Sequence, residues 1–325
     1  MLLKRLATIA YLAVLLLVFV GAIVRATGSG LGCPDWPFCY GRAIPPTSAE
    51  QIDFEHLDIE RFRRKAAQHG RDPASITPAT IRAEFNATHT WIEYINRLTS
   101  MPVGLSALAL LIASFLQRKR FPSVHVAAWL ALLLVLFNAW LGARVVYSGL
   151  KPGIITLHMA LAIVLLCVLV FAMHRSGFEL SQSGIESRMF PRQIALWLFA
   201  AVVAEGVLGS QVREMTDMLA KTHLGQPRSA WVTELEQTWV YLVHRSASWL
   251  IVGAGVVFFI KNGHRTFLEK AILGLILAQM VLGVILAHVG IVPTAQILHI
   301  GLSSLLVSGL FLWLLQTAHQ KSSHG

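Results

Sequence analysis

Eight separate stretches of the chain stay apolar for about 20 residues each, at roughly 6–24, 98–117, 121–143, 153–173, 193–212, 239–260, 271–290 and 295–316. A helix of about that length crosses the hydrocarbon of a bilayer, where every backbone N–H and C=O must be paired within its own segment. The pattern therefore predicts an all-α integral membrane protein with eight transmembrane helices. Composition agrees: of 325 residues, 55% are hydrophobic and only 14% charged, against about a quarter charged in soluble proteins. The net charge of +10 then speaks of topology rather than nucleic acid, because Lys and Arg gather on the cytoplasmic side of membrane proteins. Lys4 and Arg5 before the first apolar run imitate a signal peptide. The 19 uncharged residues from Leu6 to Val24 are longer than a typical signal core, and no convincing cleavage site follows, so the run reads as a span.

Eight spans place both termini on one side. That side carries twelve Lys and Arg, from Lys4, Arg5 and Arg118 through Arg188 and Arg265 to Lys321, against four in the short loops opposite, Lys151, Arg213, Lys221 and Arg228. The 65-residue loop 26–90 is left out of the count, since long loops cross largely regardless of charge. Both termini are expected in the cytoplasm of a bacterial cell with the protein in its inner membrane, and loop 26–90 outside. Within that loop Thr77-Pro78 reads as a helix start, an N-cap followed by Pro at the first helical position.

The chain repeats itself. Span 1 ends Gly21-Ala22-Ile23-Val24-Arg25 and span 5 ends Gly209-Ser210-Gln211-Val212-Arg213; span 2 opens on Trp91 and reaches Asn96-Arg97, span 6 opens on Trp239 and reaches His244-Arg245. Gly142, Pro152 and His158 share one spacing with Gly283, Pro293 and His299. Matches in one order predict two four-helix bundles, 1–175 and 176–325, arranged as parallel repeats about an axis along the membrane normal.

Of thirteen histidines, most lie in loops or tails and read as solvated. His158, His244 and His299 each stand about one turn into an even-numbered helix, at one depth in the outer leaflet, where ionisable residues are rare and usually functional. Two imidazoles from facing helices suit the axial positions of a haem iron; the plainer alternative is a helix–helix hydrogen bond. His244 and His299 form such a pair. The matching N-terminal positions hold Asn96 and His158, with Glu93 one turn before Asn96 on the same face, where the repeat has Tyr241. One half thus reads as a closed six-coordinate site, the other as a site with an open iron position, His158 as its ligand, Asn96 lining the open face and Glu93 placed for proton transfer.

Arg25, Arg97, Arg144, Arg213 and Arg245 sit at the outer ends of spans, where snorkelling to the interface is their plain role. Arg97 and Arg245 follow the ligand positions directly and can pair with haem propionates. Cys33 and Cys39, in the outer loop, are expected to form a disulfide on an oxidising side, either as a structural link or as a redox-active pair. Cys167 reads as a small core residue, and Glu205 as facing the bundle interior.

The run from Val20 to Pro37, containing Gly21-Ala22-Ile23-Val24-Arg25-Ala26-Thr27-Gly28 and Cys33-Pro34-Asp35-Trp36-Pro37, resembles the first-helix signature of the haem A synthase family. Glu93 to Arg97, Pro152 to His158, His244-Arg245 and Pro293 to His299 resemble its four ligand-bearing regions, so the likeness covers nearly the whole chain. Membership implies an oxidoreductase that converts a ring methyl group of haem O to the formyl group of haem A for cytochrome oxidase. It implies haem b held by His244 and His299, and substrate haem O near Glu93, Asn96 and His158. It implies haem O synthase and cytochrome oxidase assembly factors as partners beside the lipid bilayer, with no nucleic acid. The sequence departs from the family at Asn96, where histidine is usual, and residues 213–238 lack the second cysteine pair found in some members.

Two other readings compete. A di-haem cytochrome b relaying electrons from quinol gains from two closed haems, and Asn96 speaks against that. A parallel-repeat transporter working through Glu93 and Glu205 would place polar breaks at the midplane, whereas here they cluster near the outer end.

Overall fold

The computed structural model describes the chain except residues 69, 152, 179–188, 224, 263–265 and 320–325. Pro152 of the repeat, Arg188, Arg265 and Lys321 of the basic count, and His69, His264 and His324 lie outside the described residues. Among the described residues eight helices are long and apolar enough to cross a membrane: α1 (Leu2–Ala26), α2 (Ala87–Leu116), α3 (Pro122–Tyr147), α4 (Ile154–Arg175), α5 (Met189–Thr222), α6 (Trp239–Lys261), α7 (Phe267–His288) and α8 (Pro293–His319). Among the described residues there is no β-strand, only an isolated bridge between Cys39 and Arg42. The protein is a multi-pass membrane protein. Its lipid face is apolar and unpacked, as at Leu105, 68% exposed, and Trp197, 77% exposed.

Polar punctuation starts the helices. The Asn86 side chain accepts from the His89 N–H to begin α2, Thr238 caps α6, and Thr266 with Glu269 forms a capping box at α7. Pro at the first positions of α3 and α8 uses a site where no N–H is needed. Two helices outrun their apolar stretches. α2 begins at Ala87 rather than near 98, and α5 extends to Thr222 rather than 212, because hydropathy marks the depth of lipid while a capped helix continues into water.

Neighbour relations form two closed rings. α1 packs on α2, α2 on α3, α3 on α4 and α4 on α1; α5 packs on α6, α6 on α7, α7 on α8 and α8 on α5. The rings meet through α1–α8, α4–α8 and α4–α5. At the α1–α8 crossing Gly301 lets the backbone lie against Phe19: a Cβ there would stand 2.1 Å from the Phe19 ring. α8 is the most enclosed helix, with half of its apolar window buried, against 11% for α6 and α7.

One apolar core serves all eight helices, and it occupies only the end away from the long loop. Its buried members are Leu3 to Val14 of α1, Val103 to Ala113 of α2, Val124 to Val135 of α3, Leu165 to Met173 of α4, Ala195 to Val202 of α5, Phe258 of α6, Leu268 to Ile276 of α7 and Leu306 to Leu314 of α8. Every helix stops contributing at about its middle.

The loop between α1 and α2 packs as a small unit of its own over the other end. Cys33, Cys39, Tyr40, Ile52, Leu57, Ile76 and Ile81 form its core, with a helix at Ile59–Gln68 and another at Pro78–Ala83. Thr77 caps the latter and Pro78 occupies its first turn, as the sequence predicts. Asp35 accepts from the Tyr40 and Gly41 N–H groups at 2.6 and 2.7 Å, closing the turn after the disulfide. Burial, then the nearby Asp35 and Glu93 carboxylates, push the Tyr40 phenol up to about 12.

Candidate haem sites

Asn96, His158, His244 and His299 all lie in the loop-side halves of their helices, beyond the end of the packed core. Within each ring the two helices that carry them alternate with two that do not. Each leans on a glycine of the helix before it. A Cβ on Gly209 would stand 3.2 Å from His244 Cε1, on Gly142 3.4 Å from His158 Cε1, on Gly283 3.8 Å from His299 Cε1, and on Gly21 3.9 Å from Asn96 Oδ1. These glycines are the ones that the two repeated sequence patterns share. Lacking a side chain, each lets a neighbouring polar group lie flat against the helix.

The polar ends of these groups are thinly paired. Asn96 Oδ1 is buried without a hydrogen-bond partner among the described residues, while the imidazoles of His158 and His299 meet the main chain of Asn138 and of Gln279. Buried polar groups are normally paired, so the state of Asn96 fits a site that awaits a ligand. The His244 Nδ1 atom instead meets the Glu205 carboxylate of α5. A carboxylate behind an imidazole orients the ring and strengthens it as a ligand. His244 and His299 are also close enough to interact electrostatically. Two imidazoles on alternate helices above a core that stops short fit a macrocycle in the C-terminal ring. His158 on α4, with Asn96 on the alternate helix α2, is compatible with one in the N-terminal ring. Among the described residues no three His, Cys, Asp or Glu groups converge as a direct metal-ion site; axial ligation of a haem requires none.

Glu93 and Arg97 are drawn upward into the loop. Glu93 is 3% exposed; its Oε2 accepts from the Cys33 N–H at 2.8 Å and its Oε1 from Arg97 at 2.7 Å. Arg97 also donates to the carbonyls of Cys33 at 2.6 Å and Phe38 at 3.0 Å. The guanidinium expected to pair with propionates thus holds the loop carbonyls, while Arg245 is exposed. Cys33 and Cys39 are joined as a disulfide, beneath which this carboxylate and guanidinium sit. Gly32 permits the approach, since a Cβ there would stand 2.3 Å from the His89 carbonyl oxygen.

Sequence reading missed several partners. Arg25 of α1 and Arg213 of α5, the repeat-equivalent arginines, converge on Asp217 at 3.3 and 2.8 Å, joining the rings at the loop end. Thr156, two residues before His158, donates to Glu214 at 2.9 Å and shares a hydrogen bond with Ser210. Asp217 lies one turn beyond Arg213, a spacing that signals an ion pair, but nothing in the sequence points to Arg25 as its second partner. Surface hollows lined by Gln193, Ile194 and Trp197, and by Leu116 to Arg120, lie at the opposite end and hold none of the candidate residues.

A family model described as "Cytochrome oxidase assembly protein" matches residues 4–311. The chain belongs to that family. Among its relatives is a protein named Heme A synthase from Shouchella clausii (strain KSM-K16), 28% identical over 270 residues, covering 79% of this chain and 75% of the relative. Another of that name, from Wolbachia pipientis wMel, is 26% identical over 300 residues, 86% of this chain and 82% of its own. A third, from Bacillus cereus (strain G9842), is 24% identical over 325 residues, 95% and 89% of the two chains. The match to the cytochrome oxidase assembly family runs through both rings, so Asn96, His158, His244 and His299 all lie within it.

Proposed function

We propose that the chain is a haem A synthase, a membrane oxidoreductase that converts a ring methyl group of haem O to the formyl group of haem A for cytochrome oxidase biogenesis. The observation that carries this reading is the placement of Asn96, His158, His244 and His299 in the half of the helices where the shared core has ended. The relatives named Heme A synthase support it.

In this reading residues 1–175 and 176–325 are two parallel-repeat halves with unlike tasks. His244 and His299 hold a resident haem b, with Glu205 orienting His244 and the exposed Arg245 available to a propionate. That haem supplies electron transfer when bound. His158 ligates the substrate haem O, Asn96 lines its open face, and Glu93, one turn from Asn96, holds and moves a proton at its carboxylate. Arg97 and the Cys33 N–H fix that carboxylate in place. The twelve-to-four distribution of Lys and Arg supports a bacterial inner membrane with both termini cytoplasmic and the disulfide loop outside. Haem O synthase and oxidase assembly factors are the partners such an enzyme meets.

The test is pigment analysis of membranes expressing the chain together with a source of haem O. Haem A is the expected product. Expressed protein carrying haem b and haem O but yielding no haem A, with its electron donor and oxygen supplied, would overturn the assignment in favour of a di-haem cytochrome.

A further inference from the structure

Asn138 lies on α3, one helical turn before Gly142 and so one turn further from the loop than the His158 ring that packs there. It is 9% exposed, and neither its amide nitrogen nor its oxygen has a hydrogen-bond partner among the described residues. A buried amide with both ends unpaired is destabilising and uncommon in a native protein. The repeat-equivalent residue, Gln279, one turn before Gly283, is spent: its Nε2 donates to the His299 main-chain oxygen at 3.0 Å. Both amides stand where the packed core ends, just beyond Val135 of α3 and Ile276 of α7. Each ring therefore has an amide on its floor, engaged in the C-terminal ring and free in the N-terminal one.

We propose that Asn138 is a substrate-contacting residue whose amide hydrogen-bonds the hydroxyl group of haem O; this rests on the reading of the N-terminal half as the haem O site. An amide presents a donor and an acceptor side by side, the complement of a hydroxyl, which is both. The charged propionates on one edge of haem O belong at the hydrated, arginine-bearing loop end. The hydroxyl stands on the isoprenoid-bearing substituent, on the other side of the ring, and so faces the floor. Protohaem carries a vinyl group there and would leave Asn138 unpaired. Haem O gains this bond and protohaem does not, so the site prefers the hydroxyl-bearing haem. The residue thus selects haem O over protohaem at a distance from the iron.

The experiment is optical titration of the full-length, detergent-purified protein with haem O and with protohaem, comparing the parent with Asn138→Leu. Affinity for haem O is expected to fall about three- to tenfold, with protohaem affinity and the C-terminal haem spectrum unchanged. Thermal stability before haem O is added should stay level or rise, because an apolar side chain replaces an unpaired amide. Asn138→Ala repeats the measurement with a smaller side chain should Leu disturb packing. Equal weakening for both haems, no weakening for haem O, or a loss of stability in both variants before haem O is added, as a structural water on Asn138 would produce, overturns the proposal. Parent protein that takes up no more haem O than His158→Ala does overturns the reading of the site, and this proposal with it.

Discussion

Glu205 of α5 meets the Nδ1 atom of His244 on α6, so one of the paired imidazoles has a carboxylate behind it. His299 meets the main chain of Gln279 on α7 instead. The two ligands proposed for one haem are therefore unequal. Glu205→Gln, by removing a negative charge next to the ligand, should raise the reduction potential of the C-terminal haem. Glu205→Leu should weaken haem retention about 10- to 100-fold. A redox titration and haem quantification of the purified variants measure both; an unchanged potential in Glu205→Gln would remove Glu205 from the site.

The glycines behind the histidines make a graded prediction. At Gly209 a methyl group would come within 3.2 Å of His244, closer than ordinary contact, whereas at Gly283 it would stand 3.8 Å from His299. Gly209→Ala should tilt the His244 ring and cost about 1 kcal/mol or more of overpacking, visible as partial loss of the low-spin spectrum. Gly283→Ala should keep that spectrum and gain up to roughly 1 kcal/mol from helix propensity. The reverse order would mean that these glycines do not set the rings' positions.

Glu93 joins the disulfide loop to the helix that bears Asn96. Glu93→Ala should lower haem A output on the order of 100-fold, leaving haem O or its partly oxidised form bound while the C-terminal haem b spectrum persists. The same variant leaves the buried Cys33 N–H without its acceptor, at a cost of about 1–3 kcal/mol, so the loop should be cut faster by protease. Pigment extraction and limited proteolysis read the two effects separately. Wild-type haem A with a loosened loop would leave Glu93 a purely structural role.

Tyr40 gives the loop an alkaline limit. Its phenol is pushed up to about 12 from its ordinary value of 10.0, chiefly by burial, so the folded loop favours the protonated form. The stability this confers is present in full below the unfolded value and is lost as pH rises from there toward about 12. The effect amounts to roughly 2–3 kcal/mol. Tyr40→Phe should abolish this pH-dependent loss, followed by tyrosine absorbance and protease sensitivity of the loop. A variant with the same alkaline transition as the parent would place its cause elsewhere.

Much of this protein is a consequence of chain-local patterns. Apolar length alone dictates eight helices, because an unpaired backbone is not tolerated in lipid. The repeated glycine, arginine and histidine spacings put Asn96, His158, His244 and His299 at one level, since position along a helix converts directly to depth at 1.5 Å per residue. The nearness of Cys33 and Cys39 in the sequence allowed their disulfide to be expected. Rotation about each helix axis, and the partner met across it, are not written in any such spacing. Tertiary packing decided that Arg97 holds loop carbonyls, that Glu93 receives the Cys33 N–H, that Glu205 backs His244, and that Arg25 and Arg213 share Asp217. It also decided where the core stops. Hydropathy is nearly uniform along each span, because lipid and protein interior are equally apolar. Only the assembled helices distinguish the half that holds the shared core from the half that bears Asn96, His158, His244 and His299.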